Sequence, residues 1–137
     1  MTTALTARNA IADLLESTFT ELAGKVEKGK RDMIEKWPCA SVYVGQIQSE
    51  PIATRGHVER TVSIEVELHR KSENVEEVLL INAETLEAAV YASRNTISPN
   101  IKRIYLSDAN VQKDPQQKGL ATLNITFSIT ISASLTA

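Results

Sequence analysis

The chain is poor in the side chains that carry most metal and nucleophile chemistry: one cysteine, two histidines, one tryptophan, two phenylalanines and three tyrosines among 137 residues. Cys39 alone forms neither an intrachain disulfide nor a multi-thiolate metal site, the usage expected of an intracellular chain held by packing. Two histidines suggest no Ser-His-Asp or Cys-His arrangement by their spacing. Positive charge is not in excess: fifteen Lys and Arg stand against seventeen Asp and Glu, a net charge of -2, without the footprint of a sequence-independent DNA binder. No apolar run approaches the ~20 residues of a membrane-spanning helix, and no basic stretch with an apolar run after it opens the chain, so neither an anchor nor a secretory signal is expected. With 42% hydrophobic and 23% charged residues, the composition is that of a folded globule rather than a disordered segment.

What is present is periodic. From about Thr6 to Ala23, Ile11, Leu14, Leu15, Thr18, Phe19 and Leu22 recur at three- and four-residue spacings, which predicts a helix, and Gly24 follows as a stop. Lys25 to Lys36 carries charges of both signs and reads as an extension of the helix, a frayed end or a loop. Trp37-Pro38 ends any helix, because proline disfavours the helical region for the residue before it. Cys39 to Ile47 alternates as a strand, and Gln46 to Gly56 reads as a loop. From His57 to Arg70 the alternation is cleaner, with Val58, Val62, Ile64, Val66 and Leu68 on one face and Glu59, Thr61, Ser63, Glu65, Glu67 and His69 on the other. Arg60 is the charge on the apolar side, placed where its stem can lie along apolar surface.

A second helix is predicted from Asn74 to Ser93, with Asn74 as N-cap, Glu77 as its capping partner and Val75, Val78, Leu79, Leu86, Ala89 and Val90 as the inward stripe. Ser98-Pro99-Asn100 breaks the chain, Ile101 to Ser107 reads as a third strand, and Asp108 to Lys118 as a polar loop. Gly119 to Ala133 then alternates almost without error as the last strand. The expected fold is one α+β domain over residues 1–137. Its sheet is mostly antiparallel and four-stranded, with two helices packed on one face, in the order α-β-β-α-β-β.

Length is more informative than composition. A compact domain of this size has a radius of gyration of about 14 Å, hence a diameter of roughly 37 Å as a sphere. At ~3.3 Å per residue the last strand would span about 50 Å and the strand from His57 to Arg70 roughly 46 Å. The strands must bend and bulge, or project where another subunit covers them. Sustained alternation without an internal glycine or proline favours projection. The polar row of the last strand, including Thr122, Thr126, Ser128 and Thr130, holds no charge to deter pairing with another chain, so self-assembly is expected.

Near matches to chemical motifs have structural readings. Gly24, Gly29 and Lys30 have the spacing of a phosphate-binding loop, but Arg31 stands where Ser or Thr must bind magnesium, and no strand precedes them. Glu65, Glu67 and His69 share a strand face about 7 Å apart, too far for adjacent ones to share one ion easily, so they read as a solvated face. Cys39 reads as a small buried hydrophobe, Trp37 as a lid on the core below the first strand. No catalytic, cofactor-binding or metal-ligating residue is assigned.

An N-terminal amphipathic helix, the P-x-x-x-V-Y opening of a strand at Pro38–Tyr43, a polar loop, the R-x-V-x-I-E-V-x-L strand from Arg60 to Leu68, a second helix and a closing strand occur in this order. In that order and spacing the chain, from about Leu5 to Ile131, resembles the tail-terminator (minor tail, tail completion) proteins of long-tailed bacteriophages. The resemblance implies a structural virion protein without catalytic residues or cofactor. Such a protein forms a ring, typically of six copies, at the head-proximal end of the tail tube, where it ends tube polymerisation and offers its other surface to the head-neck connector. Its partners would be further copies of itself, the tail tube protein and the connector protein; DNA would pass through without tight binding and no membrane would be involved. On this reading Thr122, Thr126, Ser128, Thr130, Gln48, Glu50 and Arg55 are expected at subunit or ring interfaces, with Glu59, Glu65 and Glu67 facing the channel. The loops Gln46–Gly56 and Asp108–Lys118 would order against neighbouring rings. Two other readings stay open: a neighbouring neck component (a head-closure or head-tail joining protein), and a small ligand-binding or enzymatic α+β domain with the Thr and Ser row as its lining.

Overall fold

A computed structural model describes residues 3–30, 36–51, 56–97 and 101–134. The elements run α1 (Thr3–Thr18), a 3₁₀ turn (Thr20–Leu22), β1 (Val26–Glu27), β2 (Cys39–Pro51), β3 (His57–Lys71), α2 (Val75–Ala92), α3 (Arg94–Ile97), β4 (Ile101–Lys113) and β5 (Leu120–Ser134). The sheet has five strands in the order β1-β2-β3-β5-β4 and is mixed, because β1 pairs parallel to β2 while every other pair is antiparallel.

This corrects the expected four-stranded sheet with two helices. After the 3₁₀ turn, Gly24 adopts a positive φ of 74°, and the Lys25 carbonyl accepts a hydrogen bond from the Ala40 amide at 3.1 Å. Two residues, Val26 and Glu27, then add to the edge of β2. A two-residue strand is too short to show alternation, and its pairing depends on a segment fourteen positions away. The four-residue α3, likewise too short for a periodic signal, directly follows α2 and buries Ile97. Asn74 does precede α2, but its side chain makes no capping bond; the Ser72 hydroxyl donates to its Oδ1 at 3.1 Å instead.

Both long strands are fifteen residues, and β3 and β5 pair through all fifteen positions without a register shift. The irregularities fall in their outer neighbours, at Val44/Gln46 in β2 and at Ile101/Arg103 and Leu106/Asp108 in β4. β2 and β4 each reach thirteen residues, so the expected loops from Gln46 and from Asp108 are largely strand. Their polar sequences suit strands on the outside of a sheet, where side chains on both faces reach water.

One face of the sheet carries the core. Val42, Ile64, Val66, Leu68, Leu123, Ile125, Phe127 and Ile129 are buried against Ile11 and Leu15 of α1 and Leu79, Leu86 and Val90 of α2. The helices lie side by side, α1 over β2 and β3, α2 over β3, β5 and β4. Arg70 fastens the layers. Its Nε donates to Asn82 Oδ1 and its Nη2 to Glu21 Oε1, both at 2.6 Å, and its guanidinium lies 5.7 Å from the centre of the Phe19 ring.

Candidate functional site

Opposite the helices, the second sheet face is polar, and register places its residues in transverse rows. Tyr43, Glu65, Thr126 and Asp108 form one row; Ser41, Glu67, Asn124 and Asn110 the next; Cys39, His69, Thr122 and Gln112 a third. Towards the other end follow Gln46, Ser63, Ser128 and Tyr105, and then Gln48, Thr61, Thr130 and Arg103.

The three glutamates assigned to the channel share this face, and each is engaged within the sheet. Glu65 accepts from the Thr126 hydroxyl at 2.7 Å, and Glu59 pairs with Lys102 at 3.1 Å. Glu67 is hydrogen-bonded to Tyr43; burial first, then that bond, pushes the Tyr43 hydroxyl up to about 12. Glu65 also crosses Gly45 at the β2 bulge, where a β-carbon would lie 2.7 Å from its Oε1, so the missing side chain makes room for the carboxylate.

Four of the residues expected at interfaces lie on β5. Thr122 Oγ1 is 2.7 Å from His69 Nδ1, and Thr130 Oγ1 is 3.3 Å from Thr61 Oγ1. Ser128 and Thr130 are buried, because β5 is an interior strand and the longer Tyr105 and Arg103 of β4 stand beside their small hydroxyls. Its uncharged row therefore needs no protection against edge pairing; that consideration passes to β2 and β4. Gln48 and Glu50 are exposed on the outer part of β2, in strand rather than loop, while Arg55 lies outside the described residues.

Trp37 is half-buried beside His69 and Thr122 at the rim of the polar face, under Lys71 Nζ at 5.5 Å, rather than below the core. Cys39 is buried directly opposite His69, and the Ser41 hydroxyl is buried without a hydrogen-bond partner. Among the described residues no three His, Cys, Asp or Glu side chains come together as metal ligands. An open cleft of about 740 Å³ lies between the start of α2 and the turn before β5, where Glu73, Glu76, Glu77, Lys113 and Lys118 mix both charge signs.

The edges carry features that periodicity did not expose. Beyond Ser41, where β1 ends, β2 is an edge of the described sheet, and β4 is the opposite edge along its whole length. Ile47 lies on the helix side of β2 opposite Val62, yet is 53% exposed. Between α2 and β4 lies a groove of about 330 Å³, lined by Ala88, Tyr91, Ile104, Leu106 and Phe127, with Glu84 and Glu87 in its helical wall.

No protein-family model and no curated protein matches the chain in sequence. Among solved structures, the fold is similar to a chain in the virion of a native gene transfer agent particle, at 9% identity and a TM-score of 0.46, covering 90% of this chain and 84% of that one. A likeness this slight carries nothing about what the chain does.

Proposed function

We propose that the protein is a structural virion subunit that assembles with copies of itself into a hexameric ring at the head-proximal end of a phage tail tube. There it ends tube polymerisation and presents the surface for head-tail joining. The observation that carries this reading is the pair of open edges of the described sheet, β2 beyond Ser41 and β4 along its whole length. β3 and β5 pair over fifteen residues, and the outer strands end in exposed edges, with β2 exposed from Gly45 to Pro51. Paired fifteen-residue strands span about 50 Å at ~3.3 Å per residue. Unpaired stretches of an edge strand are templates for another chain. The order of the Pro38–Tyr43 and Arg60–Leu68 segments between two helices supports the terminator role in particular. In the ring, Glu59, Glu65 and Glu67 on the polar face turn towards the channel, where carboxylates repel the phosphate backbone and let DNA slide.

Light scattering and negative-stain microscopy of the purified chain, alone and with the tail tube protein of the same genome, test the reading. Rings and tubes of arrested length are expected. A chain that stays monomeric at every concentration and leaves tube growth unaltered overturns it.

A further inference from the structure

We infer that neighbouring copies join head to tail, with Ile47 of one copy seated in the groove between α2 and β4 of the next while β2 and β4 continue a single sheet. The inference rests on the self-assembly proposed above and adds which surfaces meet.

Register carries it. On the helix side, a transverse row runs from Ile47 through Val62 and Ile129 to Ile104. The exposed isoleucine at one edge therefore stands level with the groove at the other, whose wall includes Ile104, Leu106 and Tyr91. β2 and β4 run in opposite directions, so copies related by rotation about an axis along the strands meet through antiparallel edges, the more stable pairing. The level of the side chains is preserved in that step, and Ile47 enters an apolar groove instead of water.

Charge on the polar face agrees. Glu50 stands directly opposite Glu59, two like charges side by side in one sheet. At the far edge, Lys102 already reaches Glu59 across β5, and Arg103 is level with Gln48 through Thr130 and Thr61. At that level a neighbour's Arg103 would stand opposite Gln48 and one diagonal step from Glu50, within reach of the long guanidinium stem, and give that carboxylate the opposite charge. β1 limits the contact: it occupies the β2 edge at Ala40 and Ser41 and leaves Val42 to Pro51 for the neighbour. The contact joins two different surfaces, so each copy keeps one of each free. Repetition closes a ring if the rotation divides a full turn and makes a filament if it does not.

Two measurements test this, with the mass of the wild-type assembly as reference. Ile47→Arg changes an exposed side chain, so its thermal melt should match wild type while the concentration for half-assembly rises at least tenfold. In a Cys39→Ala background, Ile47→Cys and Ala88→Cys variants are then treated with a short bis-maleimide, separately and mixed. Cross-linked dimers only in the mixture are expected. An assembled wild type with no cross-link in the mixture, dimers formed by Ile47→Cys alone, or unchanged assembly of Ile47→Arg overturns the inference and leaves the ring reading standing. A wild type that never assembles, alone or with the tube protein, overturns both.

Discussion

Replacing Arg70 with methionine keeps an apolar stem against the core and removes the group that ties β3, α2 and the 3₁₀ turn together. Three contacts are lost. The hydrogen bond to Asn82, at 2.6 Å between half-buried partners, is worth about 1.5 kcal/mol as a charged-donor bond. The pair with Glu21 is also at 2.6 Å, but the carboxylate side chain is 46% exposed, so solvent screens it to roughly 0.5 kcal/mol. The cation over the Phe19 ring, at 5.7 Å, adds about 0.5 kcal/mol at such a position. Arg70→Met should therefore destabilise by about 2.5 kcal/mol, and Arg70→Lys, which keeps the charge but not the fork, by about half of that. Urea denaturation gives the difference directly, and the thermal midpoint should fall by roughly 8 °C for a domain of this size. Glu21 supplies an internal control. The Arg70 hydrogen bond holds its carboxyl below the ordinary carboxylate range. Its contribution is present above that ordinary range and is lost as pH falls through the lowered folded value, so wild type and Glu21→Gln should converge in acid. A loss under 1 kcal/mol for Arg70→Met, or a gap to Glu21→Gln that widens on acidification, would refute the reasoning.

The Tyr43 hydroxyl, raised to about 12, stabilises the fold as the neutral phenol, so its contribution is complete below the ordinary phenol value of about 10 and is lost as pH rises towards 12. Urea melts of wild type and Tyr43→Phe across that window should show wild type losing the more stability, and parallel curves would count against the assignment. Gly119 and Gly24 both have positive φ, 82° and 74°, but a β-carbon at Gly119 would lie 2.8 Å from the Ser72 carbonyl oxygen, whereas at Gly24 it meets nothing within 4 Å. Gly24→Ala should cost about 1 kcal/mol for the backbone alone and Gly119→Ala clearly more, because the turn before β5 must shift as well. Equal costs in denaturant titrations would show that the contact with Ser72 is not limiting.

Much of the architecture is written in local patterns. The spacing of Ile11, Leu15, Leu79, Leu86 and Val90 marks the faces of α1 and α2, and the alternation from Val58 to Leu68 and from Ala121 to Ile131 marks the two central strands with the correct inward side. Those segments were legible because each is long and packs its apolar side chains on one side, so hydrophobicity repeats with the period of the backbone. The outer strands were not. Gln46–Pro51 and Asp108–Lys113 reach water on both faces, which removes the alternation, and their ladder bonds come from β3 and β5, far away in the chain.

The candidate surface divides in the same way. The polar row of β5 and the glutamates of β3 could be assigned to one face from the sequence, because a strand's period of two fixes sides. Which strand is interior could not. Register and topology put Thr130 between two neighbours, bury it, and hand the edges to β2 and β4.

By itself, the sequence determined the length and inward face of the long elements, since these depend only on backbone period and the transfer of apolar side chains out of water. Only the tertiary structure decided strand order, the two-residue β1, the level that Ile47 shares with the α2–β4 groove at the opposite edge, and the bonds that engage each glutamate. All of these are relations between residues distant in the chain, set by pairing and packing that no local pattern encodes.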